Sequence, residues 1–351
     1  MANRLEAAAH LAGQTIRTGW YAALYGLTNS RISRLGRDGN PIRLTRPVPN
    51  MAALLQGVLT LQAQDADNVR RGLYPAPAED DGSVAEHLAA VRRMFEDLPR
   101  SNARRQAGAG DEAKALPEAE GLPEYYAQNF HFQSGGWLTS DSARIYDVQV
   151  ETLFMGSAGA MRRQAIPPIQ AYLSGHDQRQ FRLADIACGS GRFLGQLAQA
   201  FPAMPMTGVD LSQPYLDEAA RHLEGRRNID FRRANAEALP FPDASLDIVT
   251  NVYLFHELPH DVRRTVTAEV ARVLKPGGLF VFVDSLQWGD VPEYEALLEA
   301  FPQRFHEPYY LDYLEDDLAG PDGVFARSGL AVTQVSLPFL SKVVVCRKAL
   351  R

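Results

Sequence analysis

The chain is short of cysteine: Cys188 and Cys346 are its only two, and neither belongs to a Cys-x-x-Cys or Cys/His pair. That argues against a disulfide framework and against a zinc site built on local spacing. Both cysteines stand in apolar surroundings, which fits a reducing compartment. Long apolar runs are missing too, with nothing near the roughly 20 residues that span a bilayer. The opening residues, MANRLEAAAHLAG, lack the apolar core of a secretory signal, so a cytoplasmic protein is expected. Positive charge is in deficit. The net charge of −6, from 36 Lys and Arg against 42 Asp and Glu, gives no global case for nucleic-acid binding.

What is present changes character near residue 180. Before it, apolar residues recur at helical spacing with interruptions. LEAAAHLAGQTIRTGWYAALYGL carries Leu5, Leu11, Ile16, Trp20, Leu24 and Leu27 at roughly that spacing. MAALLQGVLTLQAQDADNVRRGLY reads as a second helix, stopped by Pro75 and Pro77. SVAEHLAAVRRMFEDL opens with the Ser83/Glu86 capping-box pattern and is expected to end before Pro99. The polar stretch SNARRQAGAGDEAKALPEAEGLP then reads as a linker or mobile loop. The expected division is a helical N-terminal region over 1–110, a linker and lid segment over 111–175, and the main domain over 176–351. The N-terminal end is basic within an acidic protein: Arg4, Arg17, Arg31, Arg34, Arg37, Arg43 and Arg46 face only Glu6 and Asp38. Such a helix, with Trp and Tyr, suits either peripheral contact with an anionic membrane or packing on the domain or a homodimer partner.

After residue 180, strands alternate with helices, and LAVTQVSLP and SKVVVCRK close the chain as a β-hairpin. The pattern predicts an α/β fold: a doubly wound, Rossmann-like, seven-stranded, mostly parallel sheet with a terminal antiparallel hairpin, plus a helical N-terminal extension. In such a sheet, ligands bind outside the carboxyl ends of the strands. DIACGSGRFL puts Gly189 and Gly191 at the end of the first strand. A dinucleotide fingerprint would need glycine where Leu194 stands, and a P-loop would need lysine where Arg192 stands. The turn therefore suits a ligand without a pyrophosphate. Asp210, ending the second strand in GVDLS, sits where an acid hydrogen-bonds ribose hydroxyls.

The ordered blocks DIACGSGRFLGQLAQAFP, GVDLS, ANAEALPFPDASLDIVTNVYLFHELP and VARVLKPGGLFVFVDS resemble a class I S-adenosylmethionine-dependent methyltransferase. The likeness is to the ubiquinone/menaquinone C-methyltransferases and their small-molecule relatives. It implies S-adenosylmethionine as cofactor, with S-adenosylhomocysteine as product, and a small, hydrophobic or aromatic acceptor methylated on carbon, oxygen or nitrogen. It implies that Asp185, Ala187, Gly189 and Gly191 line the methionine and ribose portions. Asp210 would take the ribose hydroxyls, Leu211 the adenine face, Asn235 and Ala236 the adenine edge, and Asn251 the methionine end. Ala187 departs from the first glycine of the family pattern, a mild replacement that leaves the turn possible. Tyr146, in the YD pair, matches a tyrosine that closes over the cofactor, and could equally pack as core.

For chemistry, His256 and Glu257 follow the fourth strand where acceptors bind in this family, and His256 is a candidate base because histidine titrates near neutrality. His131 and His306 are alternative bases within two aromatic clusters. The first is Tyr125, Tyr126, Phe130, Phe132 and Trp137; the second is Tyr309, Tyr310 and Tyr313 with Glu307. Aromatic walls with polar tips suit a ring-bearing or long apolar acceptor. No pair of residues has metal-ligand spacing, so no metal is expected. Two other readings remain: a non-catalytic binding or assembly relative, and a macromolecule methyltransferase. Intact cofactor motifs count against the first, and acidity with NVYLF in the fourth block counts against the second.

Overall fold

A computed structural model describes residues 2–36, 42–77 and 83–350. Arg37 and Asp38, counted in the basic N-terminus, lie outside the described residues. The sheet is built from β1 (Leu183–Ile186), β2 (Met206–Asp210), β3 (Ile229–Arg233), β4 (Leu246–Val252), β5 (Leu274–Ser285), β6 (Leu330–Ser336) and β7 (Ser341–Lys348). Its order is β3-β2-β1-β4-β5-β7-β6, with β7 antiparallel to both β5 and β6 and the other pairings parallel. The expected fold is borne out. β1 and β4 are almost wholly buried, as parallel strands covered by helices on both faces should be. The chain winds outward from β1 to β3, then returns to add β4 on the other side. That reversal opens a crevice beyond the carboxyl ends of β1 and β4.

The helices are α1 (Ala2–Arg34), α2 (Met51–Arg70), α3 (Val84–Ala107), α4 (Ser140–Leu153), α5 (Ala158–Arg163), α6 (Ile166–Tyr172), α7 (Arg192–Ala200), α8 (Gln213–His222), α9 (His260–Val273), α10 (Glu295–Arg304), α11 (Tyr310–Glu315) and α12 (Val324–Arg327). Two details differ from expectation. The Ser83/Glu86 capping box forms, yet α3 runs through Pro99 and ends at Gly108, which takes φ +63°. A mid-helix proline costs about 3 kcal/mol. Here the turn beyond it is held in place: Arg104 is buried and donates to the Phe132 carbonyl at 2.9 Å, and Asn129 accepts from the Ala113 amide at 2.8 Å. Residues 101–107 are therefore helix, not linker. In α1, of the spaced apolar set only Leu24 is buried, while Leu5, Ile16, Trp20 and Leu27 are exposed. Together with exposed Met51, Leu55 and Leu59 of α2 they leave these helices with apolar surface toward solvent.

The reason α1 turns the other way is ionic. His10 and Gln14 are buried because Asp65 of α2 is buried, and His10 Nε2 lies 2.6 Å from its carboxylate. Arg163 of α5 grips the same carboxylate with two hydrogen bonds of 2.9 and 2.7 Å, and Tyr74 donates a fourth at 2.6 Å. Burial alone would raise the Asp65 pKa, but Arg163 and His10 outweigh it and hold the carboxyl far below the usual range. This cluster pins the α1–α2 pair onto the sheet domain. Among the described residues no helix is long and apolar enough to cross a membrane.

Replacing Asp65 by Asn strands a buried guanidinium, and stability measured by urea unfolding should fall by about 3–5 kcal/mol. Because the folded pKa is depressed, the contribution of Asp65 is present above the ordinary carboxylate pKa of about 4 and is lost as pH falls below it. The gap between wild type and Asp65→Asn should therefore narrow on acidification.

Candidate active site

The glycine turn after β1 and the end of β2 face one another across a cavity of about 100 Å³. Ala187, Gly189, Asp210, Leu211, Asn235, Ala236 and Tyr146 all line it, as the sequence suggests. Gly189 takes φ +54°, and a Cβ built there would meet nothing nearer than Tyr215 Cδ1 at 4.0 Å, so the turn leaves open space for a ligand. Its amide donates to Asp210 Oδ2 at 2.8 Å, while Ser212 N donates to Oδ1 at 2.8 Å. Each carboxylate oxygen keeps lone pairs for further donors, which is what a vicinal diol requires. Burial raises the Asp210 pKa against the pull of these amides. Asn235 accepts from Glu237 N at 3.0 Å and Tyr125 donates to Glu237 at 2.6 Å, so the loop edge of the cavity is tied down.

Three residues expected at the cofactor are set beneath the cavity and do not line it. Asp185 accepts from Thr250 Oγ1 at 2.6 Å inside the sheet, and burial lifts its pKa to about 7. Asn251 donates to the Ile186 carbonyl at 2.8 Å, with its Oδ1 buried and unpartnered. Gly191 packs on α8: a Cβ there would stand 3.0 Å from Ala219 Cβ. These residues hold the floor in place. Asp147, beside Tyr146, binds Arg192 and Ser190 at 2.7 Å each and clamps α4 over the turn.

A second cavity of about 80 Å³ lies alongside, lined by His131, Val150, Phe154, His256, Phe301 and Tyr310 among others. The two share Tyr146, Tyr253 and Glu257. Of the first aromatic cluster, Tyr125, Tyr126 and Trp137 wall the first cavity, not the second; Trp137 stands edge-on to Tyr146 and Tyr215. Phe130 stacks on Trp137, and Phe132 faces the ring of His306. His306 is not in either cavity. Its Nε2 pairs with Gln128 at 2.8 Å and its ring covers Gly110, which removes it from the candidate bases. Tyr309 likewise bonds Gln128, at 3.0 Å, away from the cavities. Tyr313, fully buried, donates to the Ser285 carbonyl.

His256 Nδ1 lies 2.5 Å from Asp284 Oδ1, a buried dyad at the ends of β4 and β5. Burial would lower the imidazole pKa, but Asp284 outweighs it and holds His256 up at about 9. Asp284 thus favours the protonated imidazole, away from a base titrating near neutrality. Glu257 accepts from Trp137 Nε1 at 3.0 Å, and burial raises its pKa. Burial also drives His131 down to about 3. His131 Nε2 lies 3.0 Å from Glu307, whose carboxyl is fully buried and, by that burial and the nearness of Glu257, held well above its usual range. His131, Glu257 and Glu307 come together with their polar atoms all within 4.8 Å of one another. Local spacing had excluded a metal; a group joined from three distant segments escapes that test. Sequence reasoning also missed Asp284, although a lone acid ending the apolar strand LFVFVDS was a usable signal, and the buried Arg162, which no pattern marked.

Among the described residues seven non-glycines have positive φ, and His131, Ala187 and Tyr253 among them line these cavities. Backbone strain of this kind gathers where surrounding structure overdetermines a functional site.

Residues 183–278 match the family model described as a methyltransferase domain. A fatty-acid O-methyltransferase of Mycolicibacterium smegmatis is 38% identical over 125 residues, 34% of this chain and 43% of that protein. A ubiquinone/menaquinone biosynthesis C-methyltransferase of Desulfotalea psychrophila is 29% identical over 181 residues, 52% of this chain and 68% of that protein. Among solved structures, a SAM-dependent methyltransferase from Aquifex aeolicus covers 53% of this chain and 92% of its own, at 16% identity and a TM-score of 0.38. The chain thus spans less than half the length of the first of these relatives. The class I methyltransferase resemblance read from the sequence is borne out for this domain.

Ala187 takes φ +56°, a left-handed conformation that costs an L-residue about 1–2 kcal/mol and glycine nothing. Stability by denaturant unfolding should rank Ala187→Gly at or above wild type and Ala187→Val below it, since a β-branched residue is worst at positive φ.

Proposed function

We propose that this chain binds S-adenosylmethionine in the first cavity and transfers its methyl group to an acceptor with a long apolar body held in the second. The observation that carries this reading is the shared wall: Tyr146, Tyr253 and Glu257 line both cavities, so ligands in each would meet there. Bound there, S-adenosylmethionine would supply an activated methyl group for transfer to the acceptor. The chain's own residues do the rest. Asp210 takes the ribose diol, and Leu211 with Ala236 and Asn235 meets the adenine. Tyr126, Trp137, Tyr146 and Tyr215 exclude water, and alignment of the two reactants is the main source of rate, several kcal/mol of barrier.

The acceptor's chemistry follows from the second cavity's surroundings. Its walls are mostly aromatic and aliphatic, with the His256–Asp284 pair and Glu257 among its polar groups, so it suits an apolar acceptor body with one polar end. Beyond it a groove of about 410 Å³ runs under the N-terminal helices, between Tyr25 and Ile32 of α1 and Met94 and Leu98 of α3. The groove shares His131, Val150 and Leu153 with the second cavity, so the two lie side by side. Its size falls within the roughly 300–1,000 Å³ of small-molecule sites. An apolar tail laid there explains why a methyltransferase domain carries a helical extension. That relatives act, by their names, on a fatty acid and in quinone biosynthesis supports an acceptor of this kind.

Calorimetric titration should show S-adenosylmethionine binding that weakens by at least about tenfold in Asp210→Ala, a loss of more than ~1.4 kcal/mol. Retained affinity in a folded Asp210→Ala chain would remove the cofactor from this site. Leu153→Trp narrows the junction of cavity and groove. It should raise KM for long-chain acceptors while sparing short ones; equal effects on both would take the tail out of the groove.

A further inference from the structure

We propose that His131, Glu257 and Glu307 bind a first-row divalent metal ion in the wall between the two cavities, with positions left open for an oxygen atom of the acceptor. The starting observation is a buried carboxyl whose hydrogen-bonding capacity is not met. Glu307 has no side-chain exposure, and neither of its carboxylate oxygens accepts a hydrogen bond. A buried carboxyl without partners costs several kcal/mol, and native proteins rarely keep one without a ligand, a proton or a cation to meet it. A proton shared with His131, whose Nε2 is 3.0 Å from Glu307 Oε1, would satisfy one oxygen and leave the other bare. The nearest imidazole with a matching charge, His256, is already taken by Asp284 at 2.5 Å.

The second observation is backbone strain. His131 and Phe132 both take φ +55°, two consecutive side-chain-bearing residues in the left-handed region. That conformation aims the His131 ring inward, against Trp137 and Phe305 and toward Glu307. Strain of this size persists where something repays it, and one imidazole aimed at two acids is a ligand arrangement. The donor atoms lie within 4.8 Å of one another. Metal bonds of about 2.1 Å to N and O set the widest span between two ligands near 4.2 Å, which a modest rotation of Glu257 would reach. One imidazole nitrogen and two carboxylates suit Mn²⁺, Fe²⁺, Co²⁺ or Zn²⁺ better than a thiolate-seeking or all-oxygen ion. Three protein ligands leave the remaining positions to water or to an acceptor oxygen. The ion would fix that oxygen next to the shared wall, so the acceptor class is an apolar molecule whose head carries an anionic or chelating oxygen. This last clause rests on the proposed methyl transfer; the ion site does not.

The test uses the full chain, stripped with chelator, and titrates Co²⁺ by visible absorption and calorimetry. One ion per chain with Kd below about 100 µM is expected, displaced by Zn²⁺. Glu307→Gln, which keeps the side chain's shape, should weaken binding by about 100-fold, and His131→Asn, which tolerates positive φ, should do the same. Asp210→Ala should bind Co²⁺ as wild type does while losing S-adenosylmethionine. Absence of Co²⁺ binding, or binding unchanged in folded Glu307→Gln, overturns the metal site. S-adenosylmethionine titrated into the same samples reports the cofactor reading separately.

Discussion

The architecture rests on one buried carboxylate. Asp65 gathers His10 from α1, Tyr74 from the turn after α2 and Arg163 from α5, and so ties two long helices to the sheet domain, whose apolar core they also share. The grip adds to other anchors of α1: Tyr21 and Leu24 pack with Met94 and Val148, and Arg17 pairs with Glu151, while several other apolar residues of the helix face solvent. The same helix supplies Tyr25 and Ile32 to the groove beside the second cavity. On the proposed reading, an ion cluster outside both cavities thus helps to form the groove for a long acceptor. A buried ion pair is weak evidence for net stability, but it is costly to break and specific in what it accepts. Here it acts as a register mark for the helix.

Around the crevice, rigidity comes from below and shape from above. Thr250 on Asp185, Asn251 on Ile186 and α8 against Gly191 lock β1, β4 and the turn into one floor. Over it, α4 is clamped through Asp147 to Arg192 and Ser190, so Tyr146 is held where the two cavities meet. Strained residues cost of order 1–3 kcal/mol each, and three of them line these cavities. The central strands β1, β4, β5 and β7 bury most of their apolar side chains, which offsets such local costs.

How much of this was legible depended on distance along the chain. The α/β alternation, the terminal hairpin, Gly189 and Asp210 are local patterns with a local physical cause, and the structure keeps them. Asn235, Ala236 and Leu211 lie where the family likeness implied. The role of Gly191 was not legible, because the Ala219 that forbids a side chain there belongs to the following βα unit. His256 was visible as a candidate, but its partner Asp284 lies 28 residues on and favours the protonated imidazole. Glu307 meets His131 from the far side of the domain, so residue spacing carried no trace of that pair. The face of α1 was misread because a polar cluster, not the apolar stripe, decided which side is buried. Pro99 misled in the same way: anchors from residues 129–134 outweigh a local helix breaker.

The proposed function makes the first cavity the cofactor crevice, the second an aromatic chamber for the acceptor and the groove a place for its tail. That arrangement has one direct test. The purified chain is supplied with S-adenosylmethionine labelled on its methyl group and with total cell extract, which is then separated into lipid, water-soluble small-molecule and macromolecular fractions. The account predicts label in the lipid fraction, dependent on Asp210. Label confined to protein or nucleic acid, or none in any fraction while the cofactor binds, would contradict it.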